Sequence, residues 1–273
     1  MSFNPEDNLL AIACNDETAT LWDIKNDERY KKLKNRQGEP MCIAFSPDGT
    51  RVATSTRENE VNIWDVASGE KIKALKGHLE NVEQVTYSPD GKQIASGSTD
   101  GIVMLWNAQT GDVLKFPSGF SKRVCALAYV PNSSILMSAD CIIFQADPLM
   151  KLSGEGCKIV FWDTKAAKPM KTVDSDCGLS SATFSLDGRF FVTSHAKHAS
   201  GRSIITIYER KRNKQFSTQT SYKLKGGKDY ARLFLLQICC SCCYHGHALG
   251  VRGPYERPLP GFADQYDAEG TYG

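Results

Sequence analysis

The sequence carries almost no net charge, few cysteines for its length and no hydrophobic run long enough to cross a membrane. Its 33 basic and 31 acidic side chains leave a formal net charge of +2, which argues against autonomous binding to nucleic acid or to an anionic membrane. Ten cysteines among 273 residues are far fewer than a disulfide-stabilised scaffold contains. The longest apolar stretch, residues 233–240, falls well short of the roughly 20 residues that span a bilayer. The N-terminal segment has neither the basic nor the apolar region of a secretory signal, so we expect an intracellular, thiol-reduced protein.

Two sequence markers recur with one period. All four tryptophans stand in the same context, a hydrophobic residue followed by Trp and then Asp or Asn, at positions 22, 64, 106 and 162. The first three of them are 42 residues apart. A second marker, an aromatic residue followed two positions later by proline, recurs in phase with its prolines at 5, 47, 89 and 131. A weaker fifth copy begins at Phe184 and has Tyr208 in place of the tryptophan, so the chain contains about five repeats.

Each repeat has the pattern of four short strands joined by turns. In the third copy, residues 82–87, 93–97, 102–106 and 112–116 are rich in apolar and β-branched side chains, and Gly, Asp, Ser and Pro separate them. The first 225 residues show no convincing helical period. The sequence therefore predicts an all-β chain.

These markers together resemble the WD40 repeat of β-propellers: Ser-Pro-Asp-Gly at 88–91, a strand rich in small residues, then Trp-Asn at 106–107, with Gly-His at 77–78 opening the unit. The resemblance covers residues 1–225. It implies an all-β, WD40-type β-propeller with about five recognisable four-stranded blades, and an incomplete ring because most rings of this family have seven. We expect the propeller repeats in residues 1–228 and an irregular tail in residues 229–273.

A set of polar residues in the third repeat has two interpretations. His78, Ser96, Asp100 and Trp106 include the residue types of a hydrolase triad. The resemblance implies instead a structural network, in which Asp bonds His, His bonds Ser, and Ser bonds the indole N–H. We favour the structural interpretation, since buried polar groups are tolerated when each has a partner, and we predict no catalytic residue.

The resemblance also places a partner-binding face on the loops that precede the innermost strands and on the turns between second and third strands. The candidate residues on these loops are Arg57, Asn81, Lys122 and Arg123. The positive charges of Arg57, Lys122 and Arg123 would favour an acidic or phosphorylated partner, and ordinary solvated surface charge is the alternative.

Residues outside the repeat pattern fall into three segments. Residues 209–214 are basic and stand where the outer turn of the fifth repeat is expected, with a nuclear signal or an acid-binding patch as the alternatives. The fourth repeat carries extra sequence near residues 141–154, between its second and third strands. In the tail, Cys239/Cys242 and Cys240/Cys243 have C-x₂-C spacing, which leaves a zinc site or reversible lipidation open. No second ligand pair exists there, so we favour a tail unrelated to the fold, from alternative splicing, read-through or a gene-prediction error.

The sequence thus predicts a non-catalytic scaffold or adapter that presents propeller loops to partner proteins or peptides. Two alternatives stay open: a subunit of an RNA-processing or ribonucleoprotein assembly, and a truncated fragment with no independent function. We expect no cofactor, no metal, no small-molecule substrate, no direct contact with nucleic acid and no membrane association. We expect a cytoplasmic location, with the nucleus as the alternative.

Overall fold

The described part of the chain is entirely β-structure. The computed structural model describes residues 1–6, 8–14, 18–34, 38–115, 120, 122–140, 157–175, 179–185, 187–197, 202–210 and 216–224. Within these ranges the strands form five antiparallel four-stranded sheets, each a meander in sequence order. We number these sheets blades 1 to 5, and the predicted fold is confirmed.

The strand bounds follow the repeat. Blades 1 to 3 contain β1 (Ser2–Phe3), β2 (Leu9–Ala13), β3 (Thr18–Asp23), β4 (Glu28–Lys34), β5 (Pro40–Phe45), β6 (Arg51–Thr56), β7 (Glu60–Asp65), β8 (Lys71–Lys76), β9 (Val82–Tyr87), β10 (Gln93–Ser98), β11 (Val103–Asn107) and β12 (Val113–Lys115). Blades 4 and 5 contain β13 (Val124–Tyr129), β14 (Ile135–Asp140), β15 (Cys157–Asp163), β16 (Lys168–Ser175), β17 (Leu179–Phe184), β18 (Phe190–Lys197), β19 (Arg202–Arg210) and β20 (Phe216–Leu224).

The four strands predicted for the third repeat agree with β9 to β12 within one residue at every end. One segment differs from its prediction: Glu209 and Arg210 belong to β19 and not to a turn, since Glu209 pairs with Ser217 and Arg210 with Phe216 across the hairpin. Residues 211–214 lie outside the described residues. The extra segment at 141–154 and the tail at 229–273 also lie outside the described residues. The extra segment falls between β14 and β15, as expected.

The Ser-Pro-Asp-Gly segments form the tight turns between the first and second strands. In blade 3 the Ser88 hydroxyl donates to the Asp90 carboxylate at 2.6 Å, and the Gly91 amide donates to the Ser88 carbonyl at 2.9 Å. Gly91 has a φ of +69°, which a residue with a side chain adopts only under strain. A Cβ atom on Gly91 would lie 3.6 Å from Pro47 of the preceding blade, so successive copies of the Ser-Pro-Asp-Gly segment lie next to each other between blades.

Each blade has two apolar faces. At each boundary between neighbouring blades, one face of the first blade packs on the opposite kind of face of the second. We call the face that carries the tryptophan, or Tyr208 in blade 5, the leading face, because it packs on the blade before it. The opposite face is the trailing face. The cross-strand pairs at the centres of the four internal leading faces are Val52/Trp64, Ile94/Trp106, Leu136/Trp162 and Phe191/Tyr208. They pack on the trailing pairs Ala11/Leu21, Ala53/Ile63, Ala95/Leu105 and Met137/Phe161.

The first strands of the five blades surround a central cavity of about 360 Å³, lined by side chains such as Ala44, Thr86, Ala128 and Thr183. Because adjacent strands are antiparallel, the loops that precede these inner strands lie at the same end of each blade as the turns between second and third strands. We call this end the mouth face.

Candidate functional site

The third blade brings the four predicted network residues together beside the mouth face. His78 precedes β9, Ser96 lies in β10, Asp100 in the following turn and Trp106 in β11. The Nδ1 atom of His78 lies 3.1 Å from Oδ2 of Asp100, and its Nε2 atom lies 2.8 Å from Oγ of Ser96. The indole N–H of Trp106 donates to the same Ser96 oxygen at 2.8 Å.

The protonation of this network follows from its burial. The His78 side chain is 1% exposed, and this desolvation lowers the pKa of its imidazole below the ordinary value, although the hydrogen bond to Asp100 opposes the shift. A neutral imidazole that donates from Nδ1 to Asp100 accepts at Nε2 from the Ser96 hydroxyl. The Ser96 hydroxyl then donates to His78 and accepts from Trp106.

This order of Asp, His and Ser is also that of a hydrolase triad, so access decides what the group can do. Ser96 has no exposed surface, and the Trp106 indole occupies an acceptor position on its oxygen. A substrate carbonyl therefore has no path to the Ser96 oxygen in this structure. The geometry suits a group that fastens strands and loops together.

Other blades keep part of this arrangement. The indole of Trp64 donates to Thr54 at 2.9 Å, and that of Trp162 donates to Ser138 at 2.6 Å. In blade 2, Glu58 stands in the position of Asp100 and is exposed. The bond between the second and third strands therefore recurs, while the histidine link is particular to blade 3 among the described residues.

Asp100 also fixes the loop that precedes β9. Its Oδ2 atom accepts the backbone N–H of Leu79 at 3.1 Å, and the Asn59 side chain of blade 2 donates to the Leu79 carbonyl at 3.0 Å. The Leu79 side chain is nevertheless 78% exposed. Two residues further on, the backbone carbonyl of Asn81 accepts the Thr99 backbone N–H at 2.9 Å, and the residue is exposed. The mouth face thus holds an exposed leucine on a backbone that is bonded on both sides.

The two predicted arginines lie at the mouth face, but both are engaged within the chain. Arg57 pairs with Glu39 at 3.1 Å, and Arg123 pairs with Glu83 at 2.9 Å. The Arg123 side chain is only 26% exposed. The sequence indicated that these cations are either solvated or available to a partner. In the structure, their ion pairs with Glu39 and Glu83 reduce the positive charge that they present. Lys122 is half-buried, and its charge favours the ionised form of Asp140.

Two buried carboxylates at this face were missed from the sequence. Burial raises the pKa of Glu83, and the charges of Arg123 and Arg57 oppose the shift. Burial also raises the pKa of Asp140, whose carboxylate accepts the Lys158 backbone N–H at 2.5 Å. The only indication in the sequence that Glu83 is buried was its position inside an innermost strand. The fold covers such a strand on both faces.

No group of three or more His, Cys, Asp or Glu side chains in the described ranges could hold a metal ion. The cysteine cluster at 239–243, on which the zinc and lipidation interpretations rested, lies outside those ranges. Within the same ranges there is no helix long and apolar enough to cross a membrane.

Comparison with known proteins places the chain among β-propellers. A family model described as "WD domain, G-beta repeat" matches residues 69–107, and one described as "Anaphase-promoting complex subunit 4 WD40 domain" matches residues 1–86. No curated protein matches the chain significantly.

Among solved structures, a chain of "Crystal Structure of Mitotic Checkpoint Complex" is similar, with a TM-score of 0.68 and 17% sequence identity over 82% of this chain. The match covers 65% of the length of that chain. At this identity the likeness concerns the fold. The two WD40 models together match residues 1–107, which hold most of the first three blades, and the solved structure shows the same fold, so this is a WD-repeat protein with a β-propeller fold.

Proposed function

We propose that the chain is a non-catalytic interaction scaffold whose mouth face binds segments of other proteins. The observation that carries this proposal is Leu79, which is 78% exposed while its backbone N–H and carbonyl are bonded to Asp100 and Asn59. A side chain on a backbone that is already ordered costs little further entropy when a partner covers it. Rigid loops that expose apolar and amide groups suit recognition of a protein segment.

The charge distribution refines the class of partner. Glu39 and Glu83 offset the positive charges of Arg57 and Arg123, so the mouth face offers less attraction to an acidic or phosphorylated segment than the sequence indicated. The partner that we propose therefore presents an apolar side chain to Leu79 and makes polar contacts with Asn81 and Lys122.

The proposal of a non-catalytic role rests on the network of blade 3. Its serine, the one candidate nucleophile with a triad-like arrangement that the sequence singled out, is fully buried and already bonded to two partners. Binding residues are often carried by loops on a rigid scaffold, which agrees with this role.

The test is affinity capture with two pairs of matched variants. Leu79→Ser alters the mouth face, and Ile72→Ser makes the same kind of change at a residue that is 49% exposed on β8. Lys122→Gln removes a charge from the mouth face, and Lys165→Gln does so on the exposed β15–β16 turn at the opposite end of a blade. Glutamine is preferred to glutamate at position 122, because a carboxylate there would lie near buried Asp140.

We expect proteins captured by the wild-type chain to be retained by Ile72→Ser and Lys165→Gln and lost from Leu79→Ser, with Lys122→Gln weakened. Mass spectrometry identifies the captured proteins, and thermal melts verify that all four variants keep the wild-type stability. Equal capture by all variants would refute the mouth face as the binding site.

A further inference from the structure

The two end blades each leave one apolar face half-exposed. At the first three contacts between blades the central pairs are buried, and at the fourth Phe191 is buried while Tyr208 is half-buried. In blade 1, Leu10 and Trp22 form the central pair of the leading face, and both are half-buried. The equivalent tryptophans of blades 2 to 4 are 3%, 1% and 4% exposed. Phe3 is 42% exposed, whereas its equivalents Phe45 and Tyr87 are 8% and 7% exposed. The leading face of blade 1 therefore lacks, within the described residues, the cover that every other leading face has.

The trailing face of blade 5 shows the complementary exposure. Its central pair, Val192 and Ile207, is half-buried. The equivalent pairs of blades 1 to 4, from Ala11/Leu21 to Met137/Phe161, are between 0% and 7% exposed. No extensive contact in the described ranges joins blade 5 to blade 1. One end of the array thus presents a leading face and the other end presents a trailing face.

The chain itself shows what covers such faces. A leading face packs on a trailing face at each of the four blade boundaries, where Trp64, Trp106, Trp162 and Tyr208 in turn contact the blade before them. Residues 225–273 contain no tryptophan and no Ser-Pro-Asp-Gly segment, so they lack both markers of a blade. Among the described residues, the two end faces are the surfaces that match each other in this way.

We infer that these two faces bind each other between copies, so that blade 5 of one chain packs its trailing face on the leading face of blade 1 of a second chain. Such a contact is heterologous, because different surfaces of the two copies meet, and it extends into a ring or a short array. Burial of the half-exposed pairs Leu10/Trp22 and Val192/Ile207 supplies the apolar driving force. This inference is independent of the function proposed for the mouth face.

The test uses the full chain and a pair of complementary variants in analytical ultracentrifugation. Leu10→Glu blocks the leading face, and Ile207→Glu blocks the trailing face. Ile72→Glu is the matched control, since Ile72 is an exposed apolar residue of β8 that belongs to neither face. We expect the average mass of the wild-type chain and of Ile72→Glu to rise with concentration to at least twice that of one chain. Each blocked variant alone should stay a monomer.

The decisive sample is the equimolar mixture of Leu10→Glu and Ile207→Glu. Each variant then offers the one face that the other has lost, so the mixture should form a dimer with one copy of each and nothing larger. The milder variants Leu10→Asn and Ile207→Asn, with melts recorded beside them, keep the test informative if a buried glutamate unfolds an end blade.

Three outcomes would overturn the inference. A wild-type chain that is monomeric at every concentration would mean that the two faces do not bind each other between copies. Self-association of Leu10→Glu or of Ile207→Glu alone would mean that like faces meet, or that the association is unspecific. A mixture that stays monomeric would mean that the two faces do not fit one another.

Discussion

Glu83 and Arg123 form an ion pair that crosses the boundary between blades 3 and 4. The Oε2 atom of Glu83, in β9, lies 2.9 Å from Nη2 of Arg123, which directly precedes β13. The two side chains are 10% and 26% exposed, so water screens the pair only in part. The pair therefore links the inner strands of two blades at the mouth face and belongs to the stability of the array.

Arg123→Ala should lower the free energy of unfolding by about 2 kcal/mol, because it leaves the buried Glu83 carboxylate without its closest cation. Urea unfolding measures the change. Arg189→Ala is the matched control: its pair with Glu209 has a similar distance of 2.8 Å, but Arg189 is 61% exposed. That loss should stay below about 1 kcal/mol. Adding Glu83→Gln to Arg123→Ala should recover part of the stability, and equal losses for the two arginines would contradict a structural role for Arg123.

Ser96→Ala should destabilise the chain more than Ser138→Ala does. Both serines are fully buried in the second strand of a blade, and each accepts an indole N–H. Ser96 also bonds His78, so its loss leaves two buried groups without a partner instead of one. We expect a difference of about 1 kcal/mol in the free energy of unfolding, measured by urea denaturation. Equal losses would mean that the histidine link contributes nothing to stability.

Gly97→Ala should destabilise the contact between blades 3 and 4 by crowding. A Cβ atom at this position would lie 2.5 Å from Cγ1 of Val124, a fully buried side chain of β13. Overpacking of this kind costs about 1–3 kcal/mol. The melting temperature should therefore fall in Gly97→Ala and recover in part in the double variant Gly97→Ala/Val124→Ala, which removes the methyl group that clashes. A double variant with additive losses would show that space at this contact is not the cause.

The repeat made most of the fold predictable. Four strands of about six residues, with the turns between them, fill a repeat of 42 residues. The spacing of the markers therefore predicted the bounds of β9 to β12 to within one residue at each end. The prediction was wrong where a local signal competed with pairing. Glu209 and Arg210 have a turn-like, basic context, yet they pair with β20, because each backbone group of an outer strand gains a hydrogen bond by extending the ladder.

The candidate site was less predictable, because its charges are set by contacts between residues that are far apart in sequence. Arg57 and Arg123 could be placed on the mouth face from the repeat alone. Their partners Glu39 and Glu83 are 18 and 40 residues away in sequence, and no local pattern indicates which acid meets which base. The exposure of Leu79 is equally non-local, since Asn59 of blade 2 and Asp100 of blade 3 fix its backbone.

The network of blade 3 should make the stability of the chain depend on pH near the titration range of histidine. Burial lowers the pKa of His78 below its ordinary value of 6.5. The unfolded chain therefore binds a proton at position 78 at a higher pH than the folded chain does. As the pH falls through 6.5, the unfolded state gains this proton first, and stability is lost until the folded imidazole is protonated as well. The contribution of His78 is thus present above pH 6.5 and decreases below it.

His78→Gln removes this titration and keeps a side chain that bonds Ser96 or Asp100. Urea unfolding at about pH 7.5 and about pH 5.5 should therefore show a smaller loss of stability on acidification for His78→Gln than for the wild-type chain. Glu83 and Asp140, whose pKa values burial raises, contribute with the opposite sign, but both are present in the two chains and cancel in the comparison. The same loss in both chains would mean that the imidazole of His78 keeps its ordinary pKa in the folded state, and that other groups control the response to acid.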